Sequence, residues 1–152
     1  PGLPNDFREK LSDMHMAPFV FRGDTFNSIE HVHHATKYIK YPDFYKKFTS
    51  GEAYGQDPLL AKKAGGKNGH KLTPAELRRP ADLVMDPQWH ANLFAYLEEA
   101  QYSKYTTNPE LRAILLATGT AKLTHFVRGQ KHYATCLPLM RVRHRLQSEE
   151  AE

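Results

Sequence analysis

Residues 102–123 read YSKYTTNPELRAILLATGTAKL, and two helices meet inside this stretch. A long periodic run from Trp89 through Leu93, Phe94, Leu97, Ala100, Gln101 and Tyr105 stops before Asn108-Pro109, because the residue ahead of a proline is pushed out of the helical region. Pro109-Glu110 then opens a compact helix over Leu111, Ile114, Leu115 and Leu116, since a first turn has no partner for the N–H that proline lacks. Gly119 closes it. Toward the C-terminus, Lys122 to Phe126 reads as a short extended piece and Leu137 to Leu146 as a last amphipathic helix, with SEEAE expected to fray.

Working back toward the N-terminus, Asp86-Pro87 begins the long run, and Thr73-Pro74-Ala75-Glu76 carries a capping pattern that predicts a short helix with Thr73 as its cap. Pro58 to Ala64 predicts another helix, ended by Gly65-Gly66, and Asp43 to Phe48 a shorter helical piece. In SIEHVHHATKY, residues 28–38, Ile29, Val32, Ala35 and Thr36, continued by Ile39, fall at helical spacing. Asn27 or Ser28 stands ready as the cap, and Pro42 is the stop. Ahead of it, alternating aromatic and small residues around Arg22-Gly23-Asp24 predict a β-hairpin. The expectation is a predominantly helical α+β fold in one domain, residues 11–146, with a short N-terminal β-hairpin, an N-terminal extension at 1–10 and an acidic tail at 147–152.

A chain of 152 residues can bury roughly two-thirds of the surface it exposes when unfolded, so it needs no disulfides. Its single Cys136 has no partner within the chain. Neither a run of roughly 18 apolar residues nor the apolar core of a signal peptide is present, which points to a soluble, cytoplasmic chain with no membrane partner. A net charge of +4 with nine further histidines is too mild for a dedicated duplex binder. It suits an anionic small ligand or the end of a nucleic acid.

Glu30 and Lys37 are seven residues apart in a predicted helix, so both project from one face about 10 Å apart along its axis, with His34 on the same side. A carboxylate that stabilises an oxocarbenium-like sugar or activates water, beside a cation or a desolvated amine, is the minimum equipment for cleaving an N-glycoside. His31, His33 and His34 lack a third ligand and any cysteine partner, so no metal and no cofactor is expected. Lys62, Lys63 and Lys67 flank Gly65-Gly66 and offer cations to a phosphate, without the Gly-Lys-Ser/Thr ending of a P-loop.

Four blocks in register resemble the YbiA-like (NADAR) family of N-glycosidases. They are LSDMHMAPFVF with SIEHVHHATKY, then DPLLAKKAGGK, then Trp89 through YSKYTTNPELRAILLATGTAKL, and the tail LPLMRVRHRL. Together they span about positions 11–146. The resemblance implies cleavage of a ribosyl C–N bond, in a phosphorylated ribosylamine of the riboflavin pathway or in ADP-ribosylated guanine. It implies Glu30 and Lys37 as the catalytic pair, and Trp89, Asp13, Lys62 and Lys104 with His34 as substrate-binding residues. Asp13 stands where the family usually has Asn, Met14 where it has Phe, and His34 where it has Gln. The family's Trp-Gly-Asp and Gly-x-Asn-x-Leu-Gly segments are replaced by the shorter HFVRGQKHYATCLP, whose Arg128, Lys131 and His132 suggest an open, cationic mouth. Arg128 is therefore a further substrate-binding candidate. The expected ligand is a phosphorylated ribosyl or ADP-ribosyl group, with nucleic acid as a possible carrier. The alternative on the same scaffold is a non-catalytic nucleotide or nucleic-acid binding module within a larger assembly.

Overall fold

The computed structural model of the chain describes residues 2–126 and 133–152. In chain order the elements are α1 (Phe7–Lys10), β1 (Phe19–Phe21), β2 (Asp24–Phe26), α2 (Ile29–Ala35), α3 (Pro42–Lys46), α4 (Pro58–Gly65), α5 (Trp89–Thr107), α6 (Pro109–Ala117), β3 (Thr124–Phe126), β4 (Tyr133–Thr135) and α7 (Leu137–Glu150). Single 3₁₀ turns follow at Thr36–Tyr38, Gly69–Lys71 and Ala75–Leu77. The fold is predominantly helical α+β.

β1 and β2 pair antiparallel with Phe19 opposite Phe26 and Phe21 opposite Asp24. The two-residue turn holds Arg22 at φ 52° and Gly23 at φ 88°, the left-handed geometry whose twist matches that of a hairpin. Glycine adopts this freely, and Arg22 is held there by donating to both carboxylate oxygens of Glu99 on α5. Strand alternation sends Phe19 and Phe21 inward, and the Phe21 ring meets Tyr96 of α5 edge-on at 6.3 Å.

Two apolar clusters share α5 as their common wall. One gathers Phe26, Ile29, Val32, Phe44, Phe48 and Tyr54 with Trp89, Tyr96 and Ala100 from α5. The other gathers Leu11, Leu111, Leu115, Leu139, Val142 and Leu146 with Tyr105 from α5. Asp86 starts this helix by accepting from the Gln88 N–H, while its own N–H donates to the Lys37 carbonyl at 2.8 Å. The end of the 3₁₀ turn after α2 is thereby tied to the beginning of α5.

Three expectations need correction. Thr73 does not cap a helix: Pro74 occupies the cap position with extended backbone, and only the 3₁₀ turn Ala75–Leu77 follows. A second hairpin, β3 with β4, forms where only one extended piece was expected. The acidic tail is helical through Glu150 rather than frayed. Gln147 donates to the Gly119 carbonyl at 2.9 Å, the Tyr102 hydroxyl donates to Glu149, and Arg112 pairs with Glu150 at 3.4 Å. At the other end, Leu3 and Phe7 pack against the second cluster, and Lys10 pairs with Glu110 at 2.9 Å.

These tail contacts predict that a chain ending at Leu146 loses about 1–2 kcal/mol in urea unfolding, the worth of one or two hydrogen bonds. An unchanged midpoint would show that residues 147–152 add nothing to the fold.

Candidate functional site

α2 begins at Ser28, whose side chain accepts from the His31 N–H and so supplies one of the missing first-turn partners. The His31 ring fixes that cap from the other side. It lies 2.6 Å from the Ser28 hydroxyl through Nδ1 and 2.8 Å from the Tyr54 carbonyl through Nε2. This buried histidine is structural. On another face of the same helix Glu30 in the first turn and His34 one turn later are neighbours, and beyond the α-helix the 3₁₀ turn carries Lys37.

The structure brings Glu30, His34 and Lys37 into one line. His34 Nε2 donates to Glu30 Oε1 at 2.7 Å, and Lys37 Nζ donates to His34 Nδ1 at 3.1 Å and to the Gly65 carbonyl at 3.3 Å. A carboxylate can only accept and an ammonium can only donate, so these contacts define the tautomer. Gly65 of α4 makes the approach possible. A Cβ at that position would stand 2.6 Å from His34 Cβ and 2.7 Å from Nδ1. Trp89 completes this side: its ring lies 5.1 Å below Lys37 Nζ, and its indole N–H donates to Thr36 Oγ1 at 3.0 Å. At 5% exposure Trp89 is mostly covered, and it meets the site as the floor beneath Lys37.

A second polar group sits on the opposite side of Glu30. The Glu30 N–H donates to the Asp13 carbonyl at 2.9 Å, and Gln101 Nε2 donates to Asp13 Oδ1 at 3.1 Å. Lys104, fully buried on α5, donates to the Ser12 carbonyl at 3.2 Å. Gln101 Oε1 and the Tyr105 hydroxyl are buried beside it without a hydrogen-bond partner among the described residues. Lys62 is exposed on α4, at the rim. Arg79 is buried behind it, donating to the carbonyls of Ala64 and Gly66. Arg128, Lys131 and His132 lie outside the described residues.

The protonation states follow from burial and neighbours. Burial alone would raise the Glu30 pKa, but the hydrogen bond from His34 and the electrostatic influence of His34, His33 and the Lys62 cation hold it below its ordinary value. Burial depresses His34 despite Glu30, with Lys37 and Lys62 adding to the effect, and it depresses Lys37 as well. It pushes Lys104 down to about 8 and His33 down to about 4. The Asp13 carboxyl is raised by burial, with Lys104 opposing. A carboxylate, a neutral imidazole and a desolvated ammonium therefore stand in contact, with the buried Asp13 carboxyl and Lys104 next to them. Among the described residues no group of three or more His, Cys, Asp or Glu side chains could hold a metal ion.

Two surface grooves, of about 380 and 340 Å³, lie elsewhere. One runs past Lys10, His15 and Pro109 and the other past Tyr41, Phe44 and Leu83; neither is lined by Glu30, His34 or Lys37.

Gln101, Tyr105 and Gly65 were not singled out as site residues from the sequence. Gln101 is the polar member of an otherwise apolar helical stripe, a signal that was visible. Gly65 read only as a helix end, because its role depends on a neighbour from another helix.

The NMR structure of the E. coli protein YbiA superposes on this chain with a TM-score of 0.69 and 22% sequence identity, covering 94% of this chain and 80% of that one. The fold is YbiA-like. No protein-family model matches the sequence, and no curated protein does. Among the described residues no helix is long and apolar enough to cross a membrane.

The depressed histidines give acidification a definite sign. Between pH 6.5 and 4 the unfolded chain protonates at ordinary histidine values while folded His33 stays neutral, so the unfolded state binds more protons and stability drops as the pH is lowered. His33 alone should contribute on the order of 3 kcal/mol to that loss. Its ring should titrate near 4 by NMR; a midpoint near 6.5 would contradict the burial described.

Proposed function

We propose that this chain is an N-glycosidase that hydrolyses a ribosyl C–N bond, in a phosphorylated ribosylamine or in ADP-ribosylated guanine. The observation that carries the proposal is the Glu30–His34–Lys37 line. The residues that the family resemblance implies as catalytic are in contact through a shared imidazole, in a chain with a YbiA-like fold. Displacing an amine from ribose C1 requires charge stabilisation on the sugar and a proton for the leaving nitrogen. Glu30 is the acid–base group, 15% exposed at its side chain and so reachable from solvent. Lys37 stands beside it as ammonium or, once deprotonated, as amine.

The remaining candidates take supporting roles in this reading. Lys62 at the rim meets the phosphate, and its charge already reaches Glu30 and His34. Trp89 holds Lys37 by a cation–π contact. Asp13, Gln101 and Lys104 lie on the far side of Glu30, where the sugar hydroxyls would find both acceptors and donors. Arg128 would serve a larger anionic substrate, such as an ADP-ribosylated nucleic acid, through phosphate contacts.

The test is hydrolysis of ADP-ribosylated guanosine and of riboflavin-pathway ribosylamines by wild type beside Glu30→Gln. Wild type should release free base or amine from one class, and the variant should be slower by roughly 100-fold or more while keeping ligand binding. Tight binding of ADP-ribose with no release from either class would establish the binding-module alternative instead.

A further inference from the structure

His34 stands between two groups that can each use it in only one way. The Glu30 contact puts hydrogen on Nε2, and the Lys37 contact makes Nδ1 an acceptor. The imidazole is thus lined up between a proton source and a proton sink. His31, three residues earlier and equally buried, shows the contrast. Its partners are the Ser28 hydroxyl and the Tyr54 carbonyl, which do not exchange charge at neutral pH. His31 holds a cap, whereas His34 connects an acid to a base.

We propose that His34 is a proton relay that converts the resting Lys37 ammonium and Glu30 carboxylate into an amine and a carboxylic acid. In one shift Lys37 Nζ passes a proton to His34 Nδ1 while His34 Nε2 passes its proton to Glu30. The total number of protons is unchanged. The products are neutral Lys37, the other neutral tautomer of His34, and protonated Glu30. This inference rests on the glycosidase reading of the same site, because both products are reactive toward a ribosylamine. The Lys37 amine attacks ribose C1, the C–N bond breaks with its electron pair going to the departing nitrogen, and that nitrogen takes the Glu30 proton. Water then attacks C1 of the Lys37 adduct and gives its proton to Glu30, while Lys37 leaves as neutral amine. The reverse shift through His34 restores the Lys37 ammonium and the Glu30 carboxylate, and the net reaction consumes one water.

The geometry protects this route. Gly65 closes over Nδ1 and the His33 ring lies 4.9 Å from that of His34, so neither ring nitrogen is left to bulk solvent. The charges that set the balance come from every side: Lys62 of α4 at the rim, Arg79 facing Lys37, His33 next in sequence, and Asp13 beyond Glu30. Arg79 and burial favour moving the proton off Lys37, Lys62 and His33 resist its arrival on Glu30, and the neighbouring Asp13 carboxyl favours it.

The decisive variant is His34→Gln, which places here the residue that the YbiA-like family usually has, so the relay is a route particular to this chain. The variant's amide can donate to Glu30 and accept from Lys37, so it keeps the contacts, but it cannot pass a proton along. The full-length chain is incubated with ribose 5-phosphate and cyanoborohydride from pH 6 to 9, and adducts are mapped by peptide mass spectrometry, with circular dichroism confirming that each variant is folded. Wild type should be labelled at Lys37. At pH 7, His34→Gln should be labelled at least about tenfold more slowly and approach wild type toward pH 9, where solvent removes the proton directly. Glu30→Gln should lose as much, and the double variant no more than either alone. Equal labelling of wild type and His34→Gln across the range would overturn the relay, as would labelling at Lys104 in place of Lys37 or at neither lysine. The hydrolysis assay above is separate: release of base by wild type together with any of these outcomes discards the relay and leaves the glycosidase reading standing.

Discussion

The contact of α4 with α2 at Gly65 and His34 is the constraint on which the site depends. Three ionisable side chains on one short segment, Glu30, His34 and Lys37, are taken largely out of water. Groups of this kind are tolerated in a protein interior only when they satisfy one another. Here they do so in a chain of contacts at 2.7 and 3.1 Å, closed by the Gly65 carbonyl. The chain exists because α4 presents Ala61, Ala64 and Gly65 to α2, a face small enough for the imidazole to lie against backbone. Any side chain at position 65 has to displace the ring that links the acid to the base.

α5 is the second organising element. Its N-terminal end places Trp89 under Lys37, and three turns on it carries Gln101, Lys104 and Tyr105 to the border between the two apolar clusters. Burial there works against stability: Lys104 is held with a pKa near 8, and Gln101 Oε1 and the Tyr105 hydroxyl have no partner among the described residues. Polar groups concentrated in a core without full pairing are a recurring mark of functional sites. Their position next to Glu30 makes one region of this chain costly to fold and chemically competent.

Much of this was legible in the sequence because local rules decide it. Ser28 caps α2, Pro58 and Pro109 stand in first turns, Gly119 closes α6 at φ 62°, and Arg22-Gly23 forms the hairpin turn. The shared face of Glu30, His34 and Lys37 followed from helical spacing, although the helix tightens to a 3₁₀ turn before Lys37. What spacing could not give were the contacts made between distant segments. Gly65 against His34, Asp13 against Gln101 and Gly119 against Gln147 are separated by 28 or more residues in the chain and depend on how helices pack. Thr73 shows the converse, a correct capping pattern in a segment whose backbone stays extended.

The central claim is that a ribosyl ligand is recognised and opened at Glu30 and Lys37. A crystal structure of the chain with ADP-ribose bound tests it most directly. The ribose C1 bearing the scissile position should then lie within about 3–3.5 Å of Lys37 Nζ, with the Glu30 carboxylate on the side of the departing nitrogen and the phosphates toward Lys62. A ligand seated in the groove of Tyr41, Phe44 and Leu83, with Glu30 and Lys37 untouched, would contradict it.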